Sequence, residues 1–457
     1  MSAEDTESSR PAARPGGPPS PRPHAVAAVV PAASVPLSFL AAAAAGLAGC
    51  GLDLAMASRA GAADPTADPV VAAAHLSVLA TLSMGVLGAL HHLTPVITHR
   101  PLRSARMAHA TFLAWLAASC VLPLGVAAGH EEIVEIGGAL AAVAVSLVAV
   151  NLWPPLSVRG KGTPVAGLRL AVAGLVVTAC YGVAYVADRQ AGWFGLTGHV
   201  VLAHAVVGLF GWLGLAYVTL AGTLWPMFFL ANVPARNRLG VVAVWGTAAG
   251  VALLSPGLLF QAAWLGWPGA VLLGGGLGAH LAMLAAHLRH GRRRAGLFAV
   301  FVLTSAGWLL AGVGLALAAD LAQARRAALA AAAVTALAGW LLEALAGHAL
   351  KVVPLITWPA ISNRTAAGGR PARPGGPDLH VPGLAALAYG ALTAGIAAAT
   401  AGFAASQPAP IAVGGGLLVL AAIAAPASLS ARPFRLLLHP EPGSAMAPRP
   451  AGPPRRE

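Results

Sequence analysis

Twelve apolar stretches, each long enough to cross a lipid bilayer as a helix, constrain the fold of this chain more than any other feature. They lie at residues 35–56, 70–97, 105–128, 133–153, 165–187, 198–231, 238–260, 264–288, 295–319, 327–357, 380–404 and 408–429. A helix needs about 20 apolar residues to span the hydrocarbon core of a membrane. Only 9% of the 457 residues are charged, which excludes a soluble globular protein of this size. The sequence therefore predicts an all-α, polytopic membrane protein with twelve transmembrane helices in a lipid bilayer.

Basic residues are distributed unevenly between the two sides of these spans. Of the 28 Lys and Arg residues, 23 fall in segments on the same side as the N-terminus. The opposite loops hold Arg59, Arg189, Arg325 and Arg326, and Lys351 lies within a span. Because cytoplasmic loops carry the excess of basic residues, we expect both termini in the cytoplasm and the protein in the cell membrane. The net charge of +13 then reflects topology, and no nucleic-acid partner is expected.

The composition also divides the chain into a membrane domain and two tails. Residues 1–33 are rich in Pro, Ala and Ser and lack the pattern of a signal peptide, which predicts a disordered cytoplasmic tail. Residues 34–430 form the predicted twelve-helix domain, interrupted by a Pro/Gly/Arg-rich cytoplasmic linker at 364–378. Residues 431–457 form a second predicted disordered tail.

The second, sixth and tenth spans share a pattern. The copies read HLSVLATLSMGVLGALHHLTPVITHRPLRS, HAVVGLFGWLGLAYVTLAGTLWPMFFLANVPARNR and LAGWLLEALAGHALKVVPLITWPAISNR. They align on one proline each, namely Pro95, Pro226 and Pro354. Trp212 and Trp340 then fall at the same offset, fourteen positions before the proline, and Gly88 and Gly347 coincide seven positions before it. This spacing predicts a unit of four transmembrane helices repeated three times.

Two histidines on this repeat are candidate cofactor and metal ligands. His75 lies twenty positions before Pro95, and His204 lies twenty-two positions before Pro226. At the rise of an α-helix their depths differ by about 3 Å, both in the outer leaflet. A six-coordinate haem takes one axial imidazole from each side, so the pair is a candidate site for haem b. Each histidine would otherwise hydrogen-bond a neighbouring helix. His199 is either an interfacial histidine or a neighbour of a haem propionate.

A second group of polar residues lies nearer the inner ends of the spans. Glu343, in the tenth span, is the only carboxylate near the membrane centre, where a charge is costly. It is either part of a proton path with His348 and Lys351 or a neutral carboxyl bonded to a neighbouring helix. The roles of the other inner histidines stay open: His91, His92, His99, His280 and His287.

The stretch from His204 to Phe228, with GLFGW followed by Trp-Pro-Met-Phe, resembles the tenth-helix signature of haem-copper oxidase subunit I, especially its haem-b-type C family. In that family the pattern is HxH, then GALGW, then a proline fourteen positions past the tryptophan. The resemblance implies twelve helices in a pseudo-threefold arrangement. It also implies a second-helix histidine that binds a low-spin haem, the position that His75 resembles.

The metal-ligand motifs of that family are degenerate here. Val206 stands where the HxH pattern has its second histidine, and the tenth span has Ala332 and Val334 at the two ligand positions. The His-Pro-Glu-Val-Tyr motif and the His-His pair that hold copper are absent. We therefore expect neither copper binding nor a complete oxidase. The chain is also similar, more loosely, to the NnrS family of haem- and copper-containing membrane proteins, which implies a role in the response to nitric oxide or in copper and haem handling.

These observations predict a haem-copper-oxidase-like membrane protein without an O2-reducing centre. It would bind b-type haem for electron transfer, with a redox partner protein, or for sensing linked to nitric oxide or copper. An alternative is a proton-coupled secondary transporter that uses Glu343, His348 and Lys351. A non-catalytic assembly partner of a redox complex is a third possibility. Because the repeat prolines lie at the ends of the spans, whereas carriers break helices near the midplane, the pattern favours a cofactor scaffold.

Overall fold

The computed structural model describes residues 31–192, 195, 197–233, 238–292, 296–321, 325–367 and 379–438. Most of the two predicted tails and of the predicted linker lies outside these residues.

Twelve helices in the described part of the chain are long and apolar enough to cross a membrane, as predicted. Nine are α-helical throughout: α1 Ser34–Met56, α3 Ala105–Ala128, α4 Glu131–Leu156, α5 Gly162–Ala191, α7 Leu239–Leu259, α8 Ala263–His290, α9 Leu297–Leu321, α11 Pro382–Ala404 and α12 Pro408–Leu438. A short helix, Ser58–Ala63, lies in the loop after α1. Large apolar side chains face outward, among them Trp264 (76% exposed) and Trp267 (72%), as suits a protein in a bilayer.

The remaining three helices, α2, α6 and α10, each contain an eight-residue π-helical segment. The segments are Asp68–His75, Leu76–Ser83 (π) and Met84–Thr98 in α2; Thr197–Val206, Val207–Gly214 (π) and Leu215–Phe228 in α6; and Arg325–Val334, Thr335–Leu342 (π) and Glu343–Ala367 in α10. In all three helices the π segment begins at the same number of positions before the repeat proline, and it also ends at the same number of positions before it. The repeat is therefore present in the backbone as well as in the sequence.

π-Helical turns leave backbone groups for partners outside the helix. The Leu79 carbonyl in the π segment of α2 accepts a hydrogen bond from Trp115 Nε1 of α3, at 2.9 Å. These widened turns lie in the most buried spans: more than half of the central residues of α2, α6 and α10 are buried, against 22–44% in the other nine. The three repeat helices thus form the inside of the bundle.

The same repeat sets how α1, α5 and α9 pack on α2, α6 and α10. One contact lies one position before the site of Trp212 and Trp340 in the repeat. There Ala80 of α2 contacts Gly46 of α1, Gly211 of α6 contacts Gly174 of α5, and Gly339 of α10 contacts Trp308 of α9. A second contact lies two turns nearer the prolines. There Gly88 of α2 contacts Phe39 of α1, Thr219 of α6 contacts Gly167 of α5, and Gly347 of α10 contacts Phe301 of α9. On α1, α5 and α9 the two contact positions are likewise two turns apart, on one helix face. Small residues at these crossings let the backbones approach closely, as is usual in membranes.

The repeat prolines define one face of the bundle, which we call the proline face. Pro95 and Pro226 lie in the last turns of α2 and α6, whereas α10 continues past Pro354 to Ala367. His99 ends α2 with a left-handed backbone (φ 56°). We call the other side of the bundle the opposite face.

Candidate functional site

His75 and His204 lie just before the π segments of α2 and α6, towards the opposite face. His75 Nδ1 is 2.8 Å from the Val71 carbonyl oxygen, one turn earlier in α2. The carbonyl can only accept, so Nδ1 carries the proton and donates it. The Nε2 lone pair of His75 is therefore available. Metal-ligating histidines are typically oriented in this way, with the other ring nitrogen donating to a carbonyl.

His204 is held against α5 and lies close enough to His75 for the two rings to interact electrostatically. Its ring lies over Gly182: a Cβ built on that glycine would be 3.5 Å from His204 Cε1. Its buried Nδ1 makes no well-formed hydrogen bond with a described residue, although the Thr178 backbone of α5 lies close enough to interact with the ring. A buried polar atom without a well-formed hydrogen bond is costly, and a ligand would relieve that cost only by binding Nδ1 itself.

Two of the three predicted cofactor residues, His75 and His204, thus lie within electrostatic range of each other on α2 and α6. His199 has a different partner. Its Nε2 accepts a hydrogen bond from the side-chain amide of Gln261, in the loop between α7 and α8, at 2.5 Å. This contact ties His199 to the protein surface.

Nearer the proline face than the histidine pair, two tryptophans of the repeat lie between the three inner helices. Trp212 of α6 donates from Nε1 to Ser83 Oγ of α2, at 2.9 Å, with both residues 1% exposed. Trp340 of α10 occupies the equivalent position, and its ring lies against Gly214 of α6. Gly214 has no side chain to accept a hydrogen bond, and Trp340 Nε1 has no partner among the described residues.

Closer to the proline face, an aromatic and histidine cluster fills the space between α6, α8 and α10. Trp225 Nε1 donates to His348 Nε2 at 3.2 Å, and His348 Nδ1 donates to the Ala344 carbonyl at 2.7 Å. The Tyr217 ring lies between His280 and His348, with centroids 5.1 and 5.7 Å away. Both nitrogens of His348 are thus engaged, and the ring helps to hold α10 to α6.

Glu343 begins the α-helical segment that follows the π segment of α10, and it is fully buried. Its Oε1 accepts hydrogen bonds from Thr393 Oγ1 of α11 at 2.6 Å and from Trp308 Nε1 of α9 at 3.3 Å. No described residue hydrogen-bonds Oε2. Glu343 therefore hydrogen-bonds α9 and α11, whereas His348 contacts α6 and also packs on Phe298 of α9, with ring centroids 5.2 Å apart. Lys351, in the turn beyond His348, is partly buried.

Of the other inner histidines, His91 lies apart from these groups, whereas the His287 ring lies against Trp225 of the cluster, with centroids 5.9 Å apart. His91 is buried and stacks on Phe39, with ring centroids 5.4 Å apart, while its Nδ1 donates to the Leu87 carbonyl at 2.8 Å. His287 is also buried and donates to the Met283 carbonyl at 2.8 Å. Within the described residues, no three or more His, Cys, Asp or Glu side chains lie close enough to hold one metal ion.

Sequence reasoning did not find Trp308 and Thr393 as partners of Glu343, nor Trp225 and Tyr217 as partners of the inner histidines. The repeat could have indicated that Trp308 is unusual, because the equivalent positions of α1 and α5 are glycines, Gly46 and Gly174. A tryptophan that replaces a glycine at a helix crossing indicates a local specialisation. Thr393 gives no such signal, since threonine is ordinary in a transmembrane helix.

No protein-family model and no curated protein matches this chain. The function is therefore argued from the arrangement of its residues.

Proposed function

We propose that this protein holds a b-type haem between His75 and His204 and transfers electrons within the membrane. The observation that supports the proposal is that two imidazoles from repeat-related helices lie within electrostatic range of each other. His75 donates from Nδ1, which leaves the Nε2 lone pair to bind a metal, and His204 Nδ1 makes no well-formed hydrogen bond with a described residue. Ligation would use both imidazoles in the neutral form, which is the form that an apolar site favours.

The protein would contribute orientation and a dry environment. The Val71 carbonyl fixes the tautomer and direction of His75, and Gly182 lets α5 approach the ring of His204. A bound haem would supply an iron that accepts and returns one electron. If both His75 and His204 held the haem, no position would remain on the iron for a gas, which would favour electron transfer. Sensing of nitric oxide would require one histidine to be displaced, and a role linked to copper has no three-ligand site in the described residues to support it.

A transporter that uses Glu343, His348 and Lys351 as one path receives less support. Glu343 hydrogen-bonds Trp308 of α9 and Thr393 of α11, whereas His348 hydrogen-bonds Trp225 of α6, so no hydrogen bond links the two residues. His348 is also hydrogen-bonded at both nitrogens, so moving a proton through it would require breaking the contact with Trp225.

The first test is the visible absorption of the purified protein and its single-histidine variants. We expect a Soret band in the wild type. The His75→Ala and His204→Ala variants should each lose haem or convert it to a five-coordinate form, and the double variant should contain none. His109→Ala is the matched control, because His109 is exposed on α3 and donates only to its own helix, to the Ala105 carbonyl.

The proposal fails if the wild type has no Soret band after expression with sufficient haem. It also fails if the band survives unchanged in the double variant. Equal losses in His109→Ala and His204→Ala would indicate a general folding defect, and ligation by His204 would then have no support.

A further inference from the structure

A second site lies closer to the proline face, around Glu343. In each of the first two repeats the equivalent of Glu343 is apolar, Met84 in α2 and Leu215 in α6. The equivalents of Trp308 are glycines. The acid and its indole donor therefore occur together only in the third repeat, where packing alone would not require them.

The hydrogen bonds to Glu343 determine where its proton can reside. Both observed partners are donors, and both reach Oε1. In the ionised form Oε1 accepts both hydrogen bonds, which leaves Oε2 as the oxygen open to take up a proton. Oε2 is the oxygen without a hydrogen-bond partner among the described residues. Among the described residues no cation forms an ion pair with Glu343; the ion pair found there joins Arg189 and Glu131.

Two features lead from Glu343 towards the proline face. One is a pair of hydroxyls one turn closer to that face on the same two helices: Tyr389 of α11 lies 2.7 Å from Thr304 of α9. Thr304 also donates to the Val300 carbonyl at 2.9 Å, so the Tyr389 hydroxyl is the donor within the pair. Tyr389 is the titratable neighbour on this side of Glu343.

The other feature is a partly enclosed space, which we call the α10–α12 cavity. It measures about 60 Å³, which exceeds the roughly 10–15 Å³ that one water needs. Leu342 and Ala346 line it beside Glu343, Leu392 lines it beside Thr393, and Ser428 lines its far end. Ser428 donates to the Val381 carbonyl, just before α11 begins at the proline face. The cavity thus begins beside residues that adjoin Glu343 and Thr393 in sequence and extends towards that face, although Glu343 itself does not line it.

We propose that Glu343 is a proton-binding site that exchanges its proton with the proline face through the α10–α12 cavity. In the step, a proton from water at that face binds Oε2 of the carboxylate and forms the neutral acid, and release is the reverse. The lining is apolar apart from Ser428, so the cavity can stay dry while Glu343 is neutral. A charged carboxylate would draw water in, because an unsolvated charge there is costly. This site does not depend on the haem.

Infrared difference spectroscopy of the full-length protein in lipid tests the proposal. A pH titration of the wild type should show the C=O stretch of a buried carboxylic acid, which shifts to lower frequency in D2O. Glu343→Gln should lack this band. Glu132→Gln, which changes an exposed carboxylate at the start of α4, should keep it. Identical spectra for wild type and Glu343→Gln would contradict the proposal.

The route is tested by filling the cavity. Ala388→Leu places a larger side chain in the lining and should slow hydrogen–deuterium exchange of the Glu343 band severalfold. Ala386→Leu, exposed on the same helix, should leave the rate unchanged. An unaltered rate in Ala388→Leu would rule out this route.

A milder variant covers the case in which Glu343→Gln does not assemble. Thr393→Val removes the 2.6 Å hydrogen bond to Oε1 but leaves the acid in place. The C=O band should then move to higher frequency without disappearing. A band that does not move belongs to another carboxyl and contradicts the proposal.

Discussion

At the scale of single residues, the polar groups inside this bundle fall into two kinds. Trp212 and Ser83, or Trp225 and His348, satisfy one another and join helices of the core. His204 and Glu343 each keep one buried polar atom without a partner among the described residues. The first kind is explained by packing. The second kind, which also includes Trp340, costs stability. At His204 and Glu343 the atom belongs to a side chain that can bind a metal or a proton, and there we propose a ligand.

The Trp212–Ser83 hydrogen bond should contribute measurably to the stability of the core. A double-mutant cycle of Trp212→Phe and Ser83→Ala should give a coupling free energy of about 0.6 kcal/mol, and no more than about 1.7 kcal/mol, as for other hydrogen bonds between transmembrane helices. Unfolding in mixed micelles would measure it. Trp264→Phe, at an exposed site, is the control for loss of an indole. Strictly additive effects of the two changes would mean that the bond contributes nothing.

At the scale of helices, the sequence predicted the elements well because apolar length is a strong signal. The predicted span 105–128 coincides with α3, and 35–56 differs from α1 by one residue. The alignment on the prolines also placed Trp212 and Trp340 at equivalent sites. The π segments were not predicted, since LSVLATLS, VGLFGWLG and TALAGWLL share no residue pattern that would distinguish them from an α-helix. Their common register was found only in the backbone.

The glycine contacts between repeat helices give a prediction at this scale. A Cβ on Gly174 would collide with the backbone of Gly211, and backbone cannot move aside as a flexible side chain can. Gly174→Ala should therefore lower the free energy of unfolding by about 1–3 kcal/mol, the usual cost of overpacking.

Gly274→Ala in α8 is the matched control for Gly174→Ala. A Cβ there meets no atom within 4 Å, so the variant should be neutral or gain up to about 1 kcal/mol from helix propensity. Gly46→Ala, the equivalent of Gly174 in the first repeat, should behave like Gly174→Ala. Equal stability of the Gly174 and Gly274 variants would contradict the close packing of α5 on α6.

At the scale of the whole molecule, three four-helix units place α2, α6 and α10 inside the bundle. This arrangement brings His75 and His204 together although they belong to different repeats and are far apart in the chain. The sequence predicted their matched depth from the repeat. It did not separate Glu343 from His348, because which face of α10 each side chain takes depends on the packing of four other helices.

An even number of spans, with the basic residues on one side, predicts that both termini lie in the cytoplasm. Reporter fusions should therefore give cytoplasmic signals after Glu457 and in the loop between α2 and α3, and an external signal in the loop between α3 and α4. Signals of the opposite kind at all three sites would invert the topology, and the proline face would then be external.

The most direct test of the central claim is electron paramagnetic resonance of the oxidised, purified protein, together with its iron content. Two neutral imidazoles on one ferric haem give a low-spin signal. We predict that signal at one iron per chain, with loss of its low-spin form in His204→Ala. A purified protein without iron, or a haem signal that is the same in the wild type and in the double variant of His75 and His204, would contradict the account.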